Sequence, residues 1–297
     1  MKVNPAASKT ARVVRAYWIV AGAAVAAVAV AIALNLHWGQ EIEATAAVPA
    51  ALAQSPTCTA GQRPGTAGRH RLRSAGGVPY MVVTPTGYTA ARAHPLMVVY
   101  APAGFSAGLS ERLAGITRRA TEQGFVLAFA GSGPPLSTEA LRPLAEIPAE
   151  VAARWCIDPS RIVATGHSDG GTIANALAVL PEFRGRVQAI AASGAGWSQT
   201  DYIGKECPPP IPVLILHGAD DTHFPGFGRA SADWWSACNR CTDQDPRDGA
   251  GCTRYRGCAA ETRYCETPRS HWRWAADAGA VVEFLARQGP GGEGAAQ

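Results

Sequence analysis

Between residues 67 and 288 the chain alternates short apolar runs with longer stretches whose apolar positions recur every three or four residues. The runs at 80–84, 96–100, 125–130, 161–165, 187–191 and 212–217 read as strands. Several are unbroken Val, Ile, Leu and Ala, as strands buried on both faces are. Between them, 110–123, 138–154 and 171–180 carry helical patterns, and an amphipathic stretch at 276–287 closes the series. Strands and helices alternating at this spacing predict an α/β fold, a mostly parallel sheet with helices on both faces.

Upstream the pattern changes. Residues 16–38 contain no charge and are mostly Ala, Val, Ile and Leu, with Tyr17, Trp18 and Trp38 at the ends. About 20 apolar residues in a helix cross a bilayer core, and the preceding Lys2, Lys9, Arg12 and Arg15 are expected to stay cytoplasmic. Residues 1–38 therefore predict a basic end and a transmembrane anchor. A cleaved signal peptide is the competing reading, because Ala51-Leu-Ala53 fits an A-x-A site. Both export the remainder. Residues 39–66, rich in Ala, Pro, Thr and Gly, read as a linker, and 289–297 as a flexible tail.

Charge adds an exclusion. Of 27 bases, four precede any acid, which leaves 27 − 4 = 23 against 23 acids. A balanced domain offers no footprint for nucleic acid. All eight cysteines follow the apolar segment, and in an exported chain an even number predicts disulfides, whose pairing the sequence does not determine. Cys238-x-x-Cys241 has metal-like spacing, but neither a second C-x-x-C nor an H-x₃-H follows, so no metal is expected.

Gly166-His-Ser-Asp-Gly170 fits G-x-S-x-G and directly follows the run 161–165, with a helical pattern after it. In that context the motif is a sharp strand–helix turn that exposes a strained serine, which makes Ser168 the candidate nucleophile. A second match, Gly104-Phe-Ser-Ala-Gly108, trails its strand by several residues and reads as a loop, so Ser106 is the weaker candidate. That loop suits an oxyanion hole. The N–H of Asp169 supplies one donor, and Ala103 or Gly104, after the strand 96–100, the other.

An acid and a histidine are expected to follow in that order. Asp220 and Asp221 compete in the loop after 212–217, where a carboxylate can fix an imidazole tautomer. His271 is the last histidine and the only one after the Asp221–His223 segment, in a loop before the last helix. His217 and His223 flank the acid and read as loop-packing groups, while His167 lies beside the serine. Trp197, Trp234, Trp235, Trp272 and Trp274 all follow the motif and suit either core packing or the rim of a pocket.

Gly166-His-Ser-Asp-Gly-Gly171, His217-Gly-Ala-Asp-Asp221 with Phe224-Pro225, and the final His-plus-Trp loop resemble exported α/β-hydrolase esterases of the polyhydroxybutyrate depolymerase / feruloyl esterase type. Asp158-Pro-Ser-Arg161, Cys207, and Asn239-Arg-Cys241 with Tyr255-Arg-Gly-Cys258 are similar to that group as well. The resemblance spans about residues 67–288 and implies an α/β-hydrolase fold, Asp221 as the acid, and a Ser168–His271–Asp221 triad. It also implies a cofactor-free ester hydrolase acting on polymer or oligomer esters such as hydroxybutyrate, feruloyl or acetyl-sugar esters. Gly104, His167, Trp197 and Trp272 are the expected pocket residues, with Ala103 and Asp169 as oxyanion donors. Two places depart from the group. Ala101-Pro102 stands where a His-Gly pair is usual, and Trp272-Arg-Trp274 where Trp-Pro-Gly is usual. A serine peptidase on the same scaffold and a non-catalytic binding domain are the alternatives, and no sequence feature sets the oligomeric state.

Overall fold

The computed structural model describes residues 58–59, 62–133, 137–274 and 278–289. The expected anchor at 16–38, most of the linker and nearly all of the tail lie outside the described residues. Among the described residues, no helix is long and apolar enough to cross a membrane.

The strands are β1 (Arg69–Arg73), β2 (Pro79–Val83), β3 (His94–Tyr100), β4 (Val126–Ala130), β5 (Ile157–His167), β6 (Ala189–Ser193), β7 (Val213–Gly218), β8 (Asp243–Gln244), β9 (Cys252–Arg256) and β10 (Thr262–Thr267). They lie in the order β1-β2-β4-β3-β5-β6-β7-β10-β9-β8. β3 through β7 and β10 run parallel. β1, β2, β8 and β9 pair antiparallel at the flanks.

The helices are α1 (Ala107–Ala114), α2 (Thr117–Glu122), α3 (Thr138–Ala145), α4 (Ile147–Arg154), α5 (Asp169–Val179), α6 (Phe227–Cys238) and α7 (Ala278–Ala286). β3 shows why both faces are covered: Leu96, Val98 and Tyr100 enter one core with α4, α5 and α6, and Met97 and Val99 enter the other with α1, α2 and α7. Period-2 alternation sends consecutive apolar residues to opposite faces, so every residue of β3 is buried.

Two expected helices are broken. The 110–123 stretch divides because Gly115 takes a left-handed conformation (φ 61°) that ends α1. The 138–154 stretch divides at Glu146. Pro148 has no N–H to give the carbonyl four residues back, and that carbonyl, Leu144 O, accepts from the buried Tyr100 hydroxyl at 3.2 Å instead.

No apolar run predicts β1, β8, β9 or β10. In β1 and β9 exposed arginines alternate with less exposed residues, and β10 mixes Thr, Arg, Tyr, Cys and Glu, so none forms a continuous apolar run. At the sheet's outer ends, Arg69, Arg71 and Arg73 are exposed along β1, and both residues of β8 are exposed. The end of the expected linker is bound to the domain. Gly65 N donates to Arg154 O, Trp155 Nε1 donates to Thr66 O, and Cys58 is bonded to Cys156.

All eight cysteines are in disulfides, the other three pairs being Cys207–Cys238, Cys241–Cys258 and Cys252–Cys265. The metal-like pair Cys238 and Cys241 thus divides between two bridges. Four disulfides are those of a protein from an oxidising, extracytoplasmic compartment.

Candidate active site

Ser168 links β5 to α5 with φ 56° and ψ −121°, a left-handed conformation rare for a residue with a side chain. So sharp a turn needs small neighbours. A Cβ on Gly170 would lie 2.0 Å from Tyr100 O and 3.2 Å from Ala101 C. The start of α5 therefore rests directly on the backbone leaving β3. Ser168 N donates to Ser193 O at 2.9 Å, which ties the turn to β6.

The loops after β7 and β10 bring two more groups to the serine. His271 Nε2 lies 2.9 Å from Ser168 Oγ, and His271 Nδ1 lies 2.8 Å from Asp221 Oδ2. A carboxylate only accepts, so Nδ1 carries the proton and Nε2 is left to accept from the serine hydroxyl. The other oxygen, Asp221 Oδ1, accepts from His223 N and Phe224 N, both at 2.9 Å. Burial alone would raise the Asp221 carboxyl, but hydrogen bonds from His271 and from those two amides outweigh it and hold the group below its ordinary value. Asp220, its rival in sequence, is exposed and does not share this arrangement.

The remaining histidines divide by role. His217 Nε2 donates to Phe224 O at 3.0 Å, and burial depresses its pKa, so its 3.8 Å approach to Asp221 is that of a neutral ring. His223 stacks on His271 with centroids 4.8 Å apart, and Phe224 meets His271 edge-on at 5.0 Å.

Expected pocket residues fare differently. His167 does not face an open pocket: it is buried, with Nε2 donating to His271 O at 2.7 Å and Nδ1 accepting from Ser193 Oγ at 3.0 Å. Burial lowers its pKa to about 4. Trp197 is buried too, with Nε1 donating to Thr172 O and its ring 5.0 Å from Tyr202. Trp272 is 82% exposed, 6.1 Å from His271 and 6.5 Å from His223. Trp235 is fully buried and Trp234 half-buried.

Ala103 and Gly104 are exposed in the loop after β3. Asp169 is the first residue of α5, where backbone N–H groups have no intrahelical partner. Burial raises the pKa of the Asp169 side chain. Ser106, the alternative serine, is the N-cap of α1, its Oγ accepting from Leu109 N at 3.3 Å.

Sequence reasoning did not single out Tyr202, Ile203 or Arg229. Together with Trp234 and Asp233 they line a cavity of about 470 Å³ between the segments leaving β6 and β7. A buried network fixes its floor: Asn175 Nδ2 donates to Tyr202 Oη at 2.8 Å, and Tyr202 Oη donates to Ser231 Oγ at 3.0 Å. Among the described residues no group of His, Cys, Asp and Glu is arranged to hold a metal ion.

No protein-family model matches the chain. It is similar to feruloyl esterase B of Piromyces equi, 26% identical over 210 residues, spanning 60% of this chain but 39% of that protein. Among solved structures, an acetyl xylan esterase from Aspergillus awamori superposes with a TM-score of 0.57 at 12% identity, over 74% of this chain and 99% of that one. A ferulic acid esterase of the anaerobic fungus Anaeromyces mucronatus gives 0.52 at 13% identity, over 78% and 96%. The chain has the α/β-hydrolase fold of these proteins, and its resemblance is to esterases of that type.

Proposed function

We propose that the protein is a serine carboxylic-ester hydrolase working through an acyl-enzyme. The observation that carries this reading is the relay Ser168 Oγ–His271–Asp221, with links of 2.9 and 2.8 Å on a serine held at φ 56°. Ser168 Oγ attacks the ester carbonyl while its proton passes to His271 Nε2. The N–H groups of Asp169 and Ala103 stabilise the oxyanion. The tetrahedral adduct collapses, and the alcohol leaves with the proton from His271. Water, deprotonated by the same nitrogen, then releases the acid and restores the serine. Asp221 holds the tautomer and stabilises the imidazolium throughout.

The substrate in this reading is an acetyl or feruloyl ester on a sugar oligomer or polymer. Two features support it. Trp272 offers an aromatic face to solvent beside His271, and the cavity near the β6–β7 edge combines aromatic rings with the Arg229–Asp233 pair, a mixture that suits rings bearing hydroxyl groups. The 16–38 segment, as an anchor, would keep the enzyme at the outer face of the membrane; resistance to alkaline extraction from membranes tests that part.

Hydrolysis of p-nitrophenyl acetate and butyrate, then of feruloyl, acetyl-xylan and hydroxybutyrate esters, tests the reaction and its substrate. Ser168→Ala is expected to reduce turnover by about 10⁶-fold. A folded wild-type protein inert toward every ester would overturn the proposal, and cleavage of a peptide panel alone would point to a peptidase.

A further inference from the structure

His167 stands immediately before Ser168, yet its ring reaches across 104 residues of sequence to the main chain of His271. A carbonyl oxygen only accepts, so the 2.7 Å contact requires the proton on His167 Nε2, and Nδ1 is then the acceptor for Ser193 Oγ. The ring lies 5.2 Å from the His271 ring and stacks at 5.7 Å on Trp274. It is therefore held by β6 on one side and by the loop after β10 on the other.

The bond carries mechanical information. His271 belongs to a loop with exposed Ser270, Trp272 and Arg273 on either side of it, and such loops move more than the strands they connect. Asp221 and Ser168 meet the imidazole at its two nitrogens, and Asp220 N donates to Arg269 O two residues upstream, but none of these bonds holds the main chain at residue 271 itself. His167 restrains that backbone at the carbonyl of the same residue. Because its own Cα is one peptide bond from the nucleophile, the distance between base and serine is fixed through a short, buried path.

We propose that His167 is a positioning residue that sets His271 in register with Ser168 by donating its Nε2 proton to the His271 carbonyl, with Ser193 selecting the required tautomer. This rests on the Ser168–His271–Asp221 reading above. His167 is buried and touches no substrate, so its removal acts on turnover rather than on binding.

The test compares three variants on p-nitrophenyl butyrate, with folding followed by circular dichroism and thermal unfolding. His167→Gln keeps an N–H donor near the position of Nε2, His167→Leu removes it, and Ser193→Ala removes the tautomer selection. A misplacement on the order of 1 Å costs about 10²-fold in rate. His167→Leu is accordingly expected to lower kcat by about 30- to 100-fold with KM within about twofold, and His167→Gln to recover kcat to within about fivefold of wild type. Ser193→Ala is expected to fall between them.

Equal kcat for His167→Leu and wild type would overturn the proposal. So would equal losses in folded His167→Gln and His167→Leu, since ring packing rather than the donated proton would then be the cause. If His167→Leu does not fold, a wild-type kcat in Ser193→Ala together with a collapsed kcat in folded His167→Gln overturns it as well. Failure of the underlying reading looks different: wild type and Ser168→Ala would then share the same low rate.

Discussion

The two halves of the sheet support the candidate site by different means. Ser168 stands at the end of β5, which lies between β3 and β6, where strands from Leu96 to Tyr100 and from Ala189 to Ser193 are buried on both faces. Burying a Val, Leu or Ile side chain contributes about 1.5–3 kcal/mol, so that half is held by ordinary apolar packing. Asp221 and His271 hang from β7 and β10, and beyond β10 the chain from 240 to 258 is largely exposed. Three of the four disulfides lie in or next to this region: Cys207–Cys238 ties the segment before β7 to the last residue of α6, Cys241–Cys258 closes the exposed stretch, and Cys252–Cys265 joins β9 to β10. Cross-links replace core where core is scarce. Ser168 is thus placed by packing, while Asp221 and His271 stand beside a stapled region.

The comparison is broken most severely by separating position from chemistry. Asp221→Asn keeps the shape of the acid loop but gives Nδ1 a partner that can donate, which favours the wrong tautomer of His271. A loss of about 10⁴-fold in kcat on p-nitrophenyl butyrate is expected, with unfolding temperature little changed. A wild-type rate would remove Asp221 from the relay.

Stability separates the halves at the next level. Cys252 and Cys265 close a 13-residue separation, and a loop of this size contributes about 3 kcal/mol by constraining the unfolded chain. Replacing both by Ser is expected to lower the unfolding temperature by about 6–12 °C for a domain of this size. Hydrogen exchange should then accelerate at β9 and β10 while β3 and β5 stay protected. Uniform acceleration across the sheet would show that the two halves unfold as one unit.

Acid gives the smallest of the three effects. The pKa of His167 lies below its ordinary value, at about 4, because burial disfavours its charged form. Between pH about 6.5 and 4 the unfolded chain therefore binds a proton that the folded chain does not, and stability falls as pH falls through that window. His167 is expected to contribute about 2–3 kcal/mol of the loss between pH 7 and 4.5, read from urea unfolding, and His94 and His217, also depressed by burial, add to the total in the same direction. His167→Gln should remove only the His167 share of that difference. Asp221 acts in the same direction at lower pH, since its depressed pKa stabilises the fold above its unfolded value and is lost as it protonates.

What the sequence made legible follows the same division. The strands of the packed half are continuous apolar runs and could be read directly; β6 was displaced by two residues, from 187–191 to Ala189–Ser193, because Ala-rich sequence marks its ends poorly. The elbow was legible because small residues must surround a strained serine. Choosing between Asp220 and Asp221 needed either the resemblance or the fold. Strands β1, β9 and β10 were not legible, since their inward positions are few and are held by His70, Leu72, Thr253, Tyr255 and Tyr264 among arginines rather than by an aliphatic run. The bond from His167 to the His271 carbonyl had no sequence signal at all: one partner is main chain, and nothing in composition records where a carbonyl points.

The ends of the sheet have their own consequence. An open strand is a template on which a second chain can add hydrogen bonds, and a ten-stranded sheet has two such margins. Here one is bordered by Arg71 and Arg73, with Arg69 paired to Glu111, and the other is a strand of two exposed residues. Two approaching copies would meet like charge at the first margin and almost no length of backbone at the second. The repulsion is electrostatic and reaches only about 8 Å at physiological ionic strength. Colloidal behaviour of the domain should therefore be governed by salt: concentrated solutions stay dispersed in dilute buffer and begin to self-associate through the arginine margin as ionic strength rises.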